Sequence, residues 1–256
     1  MRKKVDLNYD MGESFGIYKL GQDEELLNYC TSANIACGFH AGDPHVMRSI
    51  VKLAKEKGVA LGAHFGLPDL IGFGRRILHV TPDQLRDYAI YQIGALKGFA
   101  DAFGVKLQHV KPHGALYLML RHDESLSQAV IEAIQAIDER LILFSWKNSA
   151  IYDLAKKAGL KVVNEFYADR GCEEDEKIVF TFDLKNIGGS VDAAVKRAMR
   201  VVREGKVLAH TGKEIQVEME SLSAHGDSPI AIDLARGLVE GIKAEGVELA
   251  PVGTFI

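Results

Sequence analysis

Acids, imidazoles and two cations recur where apolar segments of this chain give way to loops. The imidazoles are His40, His64, His113 and His225; the carboxylates are Asp6, Asp10, Glu13, Glu165, Asp169 and Asp227. Lys111 and Arg170 add positive charge. Crowded carboxylates and imidazoles exchange protons near neutral pH, because burial and neighbours move their pKa values. The same set suits a divalent metal, with two imidazoles and one carboxylate leaving positions open for water. Lys111 and Arg170 suit a substrate carboxylate or a developing oxyanion. Taken singly, these residues have plainer uses. Asp10 or Glu13 can cap a helix, and Arg75-Arg76 reads as a solvated or salt-bridged pair. His45 and His109 read as structural or solvated, and His79 and His122 as surface residues. His210 is assigned neither way. Cys37-x-x-His40 lacks the further ligands at suitable spacing that a zinc site needs.

Seven strand-like segments position these groups: residues 5–10, 33–40, 59–63, 106–111, 141–144, 161–166 and 215–224. Helices are expected between them. Asp43-Pro44 opens one that Gly58 closes, and Thr81-Pro82-Asp83-Gln84 reads as a capping box. Further helices are expected over 23–30, 124–137, 149–158 and 190–205, with Ser228-Pro229 starting the last. Residues 178–182 alternate weakly and suggest a hairpin. Alternating strands and helices predict a parallel sheet.

Side chains alternate across a strand. In the first strand Val5, Leu7 and Tyr9 face one way, and Asp6, Asn8 and Asp10 the other. Asn34 leads to His40 along the polar parity of the second. The polar or small parity ends in Asp10, His40, His64, Lys111 and Glu165 in turn, and the last strand ends at His225. Central strands of an open doubly wound sheet read apolar throughout. A barrel explains one apolar and one polar face, and it gathers strand ends at one mouth. The expected fold is therefore a (β/α) barrel, with residues 1–256 as one domain.

Composition excludes several classes. The net charge is -4 over 256 residues, and Arg2-Lys3-Lys4 is the longest basic run, so no nucleic-acid surface is expected. No apolar run approaches a membrane span, and the basic start lacks a signal-peptide core. Three scattered cysteines read as reduced thiols in a cytoplasm. There is no Gly-x-x-x-x-Gly-Lys-Ser/Thr loop, no Gly-x-Gly-x-x-Gly after a strand and no Gly-x-Ser-x-Gly elbow.

Several stretches together resemble the LamB/YcsF family. They are Asp6-Leu7-Asn8-Tyr9-Asp10-Met11-Gly12-Glu13, Ser32-Ala33-Asn34-Ile35-Ala36-Cys37-Gly38-Phe39-His40, Gly62-Ala63-His64, Gly72-Phe73-Gly74-Arg75-Arg76, His109-Val110-Lys111-Pro112-His113-Gly114, Ala168-Asp169-Arg170 and His225-Gly226-Asp227. The resemblance spans nearly the whole chain. It implies a seven-stranded, TIM-like barrel of the glycoside hydrolase/deacetylase type. It also implies a bacterial hydrolase acting on a cyclic amide: ATP-driven opening of the 5-oxoproline lactam to glutamate, beside B and C subunits. Asp10, Glu13, His40, His64, Lys111, His113, Glu165, Asp169, His225 and Asp227 are then the catalytic candidates. Asn8, Asn34, Lys111 and Arg170 are the substrate-binding candidates. ATP would be a co-substrate of the complex. A more distant likeness to metal-dependent deacetylases implies a divalent metal at Asp10, His64 and His113. Two other readings stay open: a stand-alone metal-dependent amide hydrolase, and a non-catalytic binding subunit. The chain differs from the family pattern at Phe65, Leu118, Cys172, Asp175-Glu176, Thr181, Leu184 and Ser223.

Overall fold

A computed structural model describes residues 3–179 and 181–256. Arg2 of the basic start and Phe180 of the 178–182 stretch lie outside the described residues. In order, the elements are β1 (Lys4–Met11), α1 (Asp23–Leu26), β2 (Ser32–Ala36), α2 (Pro44–Lys57), β3 (Ala60–Phe65), α3 (Pro82–Ala102), β4 (Leu107–Pro112), α4 (Gly114–Met119), α5 (Glu124–Asp138), β5 (Ile142–Ser145), α6 (Ala150–Lys157) and β6 (Val162–Tyr167). A 3-10 turn (Leu184–Ile187) follows, then α7 (Val191–Glu204), β7 (Lys206–Leu208), β8 (Glu214–Gln216), β9 (Ser221–His225), α8 (Ala231–Ala244) and β10 (Glu248–Leu249).

Contacts divide the chain into two compact units. One holds the described residues up to Tyr9 with Gln22–Ser32 and Asn164–Ile256; the other holds Asp10–Gly21 and Ala33–Val163. In the second unit the strands lie in the order β2-β3-β4-β5, with β3–β4 and β4–β5 parallel. Helix α3 packs against α5. Leu85, Ala89, Ile93 and Leu96 of α3 are buried, as are Val130 and Ile134 of α5. Each fully buried Leu or Ile contributes about 1.5–3 kcal/mol. In the first unit β6 and β9 run parallel, β9 pairs with β1, and β1 runs parallel to β10.

Local chemistry sets most boundaries where the sequence expects them. The Asp43 carboxylate accepts from the His45 and Val46 amides at 2.8 and 2.9 Å, and Gly58 closes α2 in the left-handed conformation. Thr81 and Gln84 form the capping box of α3. Some boundaries differ. β2 ends at Ala36 and not at His40, because the chain turns at Gly38, whose φ is +95°. α8 begins at Ala231: Ser228 offers its carbonyl, not its side chain, to the Ala231 amide. The 178–182 stretch forms no described strand; Ile178 makes one isolated bridge to Cys172. The 215–224 segment divides between β8, in an antiparallel pair with β7, and β9.

Both faces of β1 are buried. Val5, Leu7 and Tyr9 are fully enclosed, and so are Asp6 and Asn8. Asp6 accepts hydrogen bonds from the hydroxyls of Thr31, Ser32 and Ser221. Burial nevertheless pushes its carboxyl up to about 6, against the lowering effect of those hydroxyls. In the second unit, close approach decides Gly62. A Cβ there would lie 1.9 Å from His109 Nε2.

Two stability effects follow. Gly62→Ala drives a methyl into the His109 ring and is expected to cost on the order of 2 kcal/mol or more, read by denaturant unfolding. Asp6 binds its proton more tightly folded than unfolded. Its contribution is therefore fully present below about pH 4 and is lost as pH rises through about 6. The span is about 3 kcal/mol. Asp6→Asn, neutral throughout, should flatten this part of the Tm-against-pH curve.

Candidate active site

The second unit gathers six of the expected residues at or just beyond strand ends. Asp10 stands near the end of β1, His64 on β3 and Lys111 on β4; Glu13 and His40 follow β1 and β2 in loops. His113 occupies the N-cap position of α4. All six are buried. Lys111 Nζ lies 3.1 Å from Asp10 Oδ1. The Asn34 amide donates to the same oxygen at 2.8 Å. His109 Nε2 in turn sits 2.7 Å from Asn34 Oδ1. The Asn34 amide group is thus engaged on both sides, and it braces Asp10. Burial and then the Lys111 charge push His109 down to about 3, so it stays a neutral donor to Asn34.

The three remaining imidazoles pack on one another. His40 stacks on His113 with ring centroids 3.7 Å apart and nearly parallel. His64 meets His113 edge-on. His113 Nδ1 and His64 Nε2 are 2.9 Å apart. The outer nitrogens decide the tautomers. His64 Nδ1 lies 3.0 Å from the Lys111 carbonyl and His113 Nε2 lies 2.8 Å from the Phe73 carbonyl. A carbonyl oxygen only accepts, so both outer nitrogens carry the hydrogen. In the neutral rings, the two inner nitrogens then face each other with lone pairs. Only a cation between them relieves that: a proton, making one ring imidazolium, or a metal. Burial, foremost, and the adjoining imidazoles push His113 and His40 well below the ordinary histidine range. That disfavours a proton on His113.

The donor set fits a metal. Glu13, His40, His64 and His113 each bring one ligand atom within 4.8 Å of the others. Both ring nitrogens of His40 are buried without a hydrogen-bond partner. Glu13 Oε1 lies 3.8 Å from His40 Nε2. Carbonyls that fix the outer nitrogens of two imidazoles are the usual outer support of metal-binding histidines. Of the three residues expected to ligate, His64 and His113 fall in this set. Asp10 is committed to Lys111 and Asn34, with its other oxygen 3.4 Å from His64 Nε2.

Phe73 has no side-chain chemistry to single it out, yet it delivers the carbonyl that fixes His113. Its φ is +53°, a rare value for a bulky side chain. A buried Asp69 holds the loop. It accepts from the Gly72 amide and from Arg76 Nε at 2.9 Å each, and its carbonyl accepts from Gly74. Gly74 must be glycine: a Cβ would come within 2.7 Å of both His40 and His113. The signal in the sequence is the Gly72-Phe73-Gly74 triplet. His45, His79 and His122 are exposed, and Arg76 is the salt-bridged member of its pair.

The first unit holds the other expected residues. Asp169 lies 3.0 Å from His225 Nδ1 and 2.6 Å from Arg170 Nη1, and it accepts the His225 amide at 3.1 Å. Burial pushes the Asp169 carboxyl up, but His225 and Arg170 outweigh it and hold it below the ordinary range. A buried carboxylate thus orients one imidazole through its Nδ1. Tyr167 stacks on His225, and its hydroxyl donates to Glu165 at 3.1 Å. Asn8 donates to Ser221 Oγ at 2.7 Å and accepts from Ser223 Oγ at 3.0 Å. Its amide is engaged on both sides, like that of Asn34. Asp227 is half-buried in the turn after β9. His210 pairs with Glu173 at 2.9 Å.

The chain is 48% identical over 253 residues to the Thermococcus onnurineus protein named as the A subunit of 5-oxoprolinase, covering 99% of each. The solved lactam utilization protein from Thermus thermophilus is 41% identical and superposes with a TM-score of 0.89, over 96% of this chain and 99% of that one. A family 4 carbohydrate esterase from Streptomyces lividans shares the fold alone, with a TM-score of 0.50 at 13% identity over 96% of this chain and 91% of that one. The fold class is the seven-stranded, parallel, TIM-like (β/α) barrel that the family resemblance implies, in agreement with the barrel expected from strand parity. The LamB/YcsF family model matches residues 5–256, and the chain belongs to the LamB/YcsF family.

Proposed function

We propose that this chain is the A subunit of an ATP-dependent 5-oxoprolinase, opening the 5-oxoproline lactam to L-glutamate together with B and C subunits in the cytoplasm. The near-complete likeness to proteins of that name supports the activity and the role within a complex. The structural observation that carries the reading is the buried Lys111–Asp10 pair beside three stacked imidazoles.

The chemistry asks for such a set. A lactam amide is resonance-stabilised and resists water. Phosphorylation of its oxygen by ATP, with release of ADP, makes the ring carbon electrophilic. Water adds there, the ring C–N bond breaks as the nitrogen takes up a proton, and a second water hydrolyses the resulting glutamyl phosphate to glutamate and phosphate. Lys111 holds the anionic oxygen while Asp10, braced by Asn34, keeps the ammonium in place. With no metal bound, Glu13 takes the proton of the attacking water. A divalent metal held by Glu13, His40, His64 and His113 would act as a Lewis acid and acidify a bound water. His225, oriented by Asp169, is a second proton carrier, and Arg170 a second anion-binding group. Glu165 and Asp227 complete the proton-handling set. Asn8 and Asn34 act by positioning their neighbours.

The facing lone pairs of His64 and His113 favour one second reading, a stand-alone metal-dependent amide hydrolase. One assay separates the two. Glutamate should form from 5-oxoproline and ATP only when B and C are present. Lys111→Ala should lower that rate on the order of 10²-fold, with thermal unfolding measured alongside. Wild-type turnover in a folded Lys111→Ala variant removes Lys111 from the mechanism. Amide hydrolysis by this chain alone, without ATP and abolished by a chelator, establishes the second reading instead.

A further inference from the structure

The first unit contains a cavity lined by none of the residues assigned to the lactam chemistry. It has a volume of about 450 Å³ and is walled by the 3-10 turn Leu184–Ile187, α7 and the β7–β8 hairpin. Five basic side chains line it, Lys185, Lys196, Arg197, Arg200 and His210, and no carboxylate does. Two are already neutralised. Arg200 pairs with Glu204 and Glu214, and His210 with Glu173. Lys185, Lys196 and Arg197 make no ion pair among the described residues.

Arg197 is the unusual member. Its guanidinium is largely enclosed, and its partners are neutral. It donates to the Tyr167 carbonyl at 3.2 Å and to Cys172 Sγ at 3.4 Å, and it lies 4.7 Å from the centre of the Phe166 ring. The Asp169 carboxylate also acts on it, but that carboxylate is already paired with Arg170 and His225. A buried cation without an ion-pair partner of its own is costly, and an anion beside it offsets that cost. Burial accordingly pulls the Arg197 guanidinium below its ordinary range.

We propose that this cavity binds an organic phosphate of nucleotide size. Three unneutralised cations match about two or more negative charges, which a phosphoryl group carries and a single carboxylate does not. Ile187, Val207 and Ala209 give the cavity an apolar wall for a base or similar ring. The volume lies in the range of small-molecule sites. Arg197 carries occupancy to the end of β6, since it holds the carbonyl of Tyr167, whose ring stacks on His225. The site stands apart from the lactam reading: it holds or fails whatever amide the chain acts on.

Calorimetric titration of the full chain with ATP, inorganic triphosphate and adenosine tests it. ATP should bind more tightly than triphosphate, because only ATP reaches the apolar wall, and adenosine should not bind measurably. The exposed pair Lys185→Ala/Lys196→Ala should weaken ATP on the order of tenfold, and Arg197→Lys similarly. Lys52→Ala/Lys57→Ala, on α2, should change nothing. Triphosphate binding as tightly as ATP would assign the site to inorganic polyphosphate and overturn the organic ligand. No phosphate binding at millimolar concentration would overturn the site, and so would binding that ignores the Lys185/Lys196 change.

Discussion

Two imidazole nitrogens facing each other at 2.9 Å govern the centre of this protein. Neither ring is free to turn its hydrogen inward, because Lys111 and Phe73 each present a backbone carbonyl to the outer nitrogen. Rotating either ring would break a buried hydrogen bond, at about 1–3 kcal/mol. The lone pairs therefore stay aimed at one point. The neighbouring groups follow from that constraint. His40 stacks on one ring, Glu13 stands beside His40, and Lys111 supplies one of the orienting carbonyls while its ammonium holds Asp10. A single strand, β4, thus links the imidazole pair to the ion pair.

The loop that carries Phe73 is strained for this purpose. A phenylalanine at φ +53° costs on the order of 1–3 kcal/mol, and it persists because its surroundings fix it. Asp69 supplies that fixing with one carboxylate, bound to Arg76 and to the Gly72 amide. The edge-on contacts of the Phe73 ring with His40 and His113 lock the same segment from the inside. The buried Lys111–Asp10 pair is a second concentrated cost. Removing either partner alone would strand a charge, at about 3–5 kcal/mol. Both features spend stability on geometry, as expected where chemistry is done.

Much of this was legible in the sequence, for physical reasons. The apolar and polar parities of β1 show directly as buried Val5, Leu7 and Tyr9 beside buried Asp6, Asn8 and Asp10. Caps at Asp43, Thr81 and Ser190 are local chemistry, so they are readable from a few residues. What depends on distant groups was not readable. The contact of His109 with the Asn34 oxygen shows only in the folded chain. The engagement of one Asp10 oxygen by Lys111 and Asn34 was equally out of reach of the sequence. The Phe73 carbonyl carries no side-chain signature at all; the flanking glycines were its only trace. The β7–β8 hairpin is short, with half-exposed strands, and its alternation merged with that of β9.

The centre of the site thus rests on two lone pairs aimed at one point, where a metal relieves their repulsion without charging either buried ring. Nitrogen-15 NMR of the histidine rings at neutral pH, on metal-free protein and then with one equivalent of a divalent metal, tests this most directly. His64 Nε2 and His113 Nδ1 should be unprotonated in the metal-free protein, and both should shift on stoichiometric binding. A doubly protonated His64 or His113 that stays unchanged as metal is added would contradict it, and would make that imidazolium the working charge of the site.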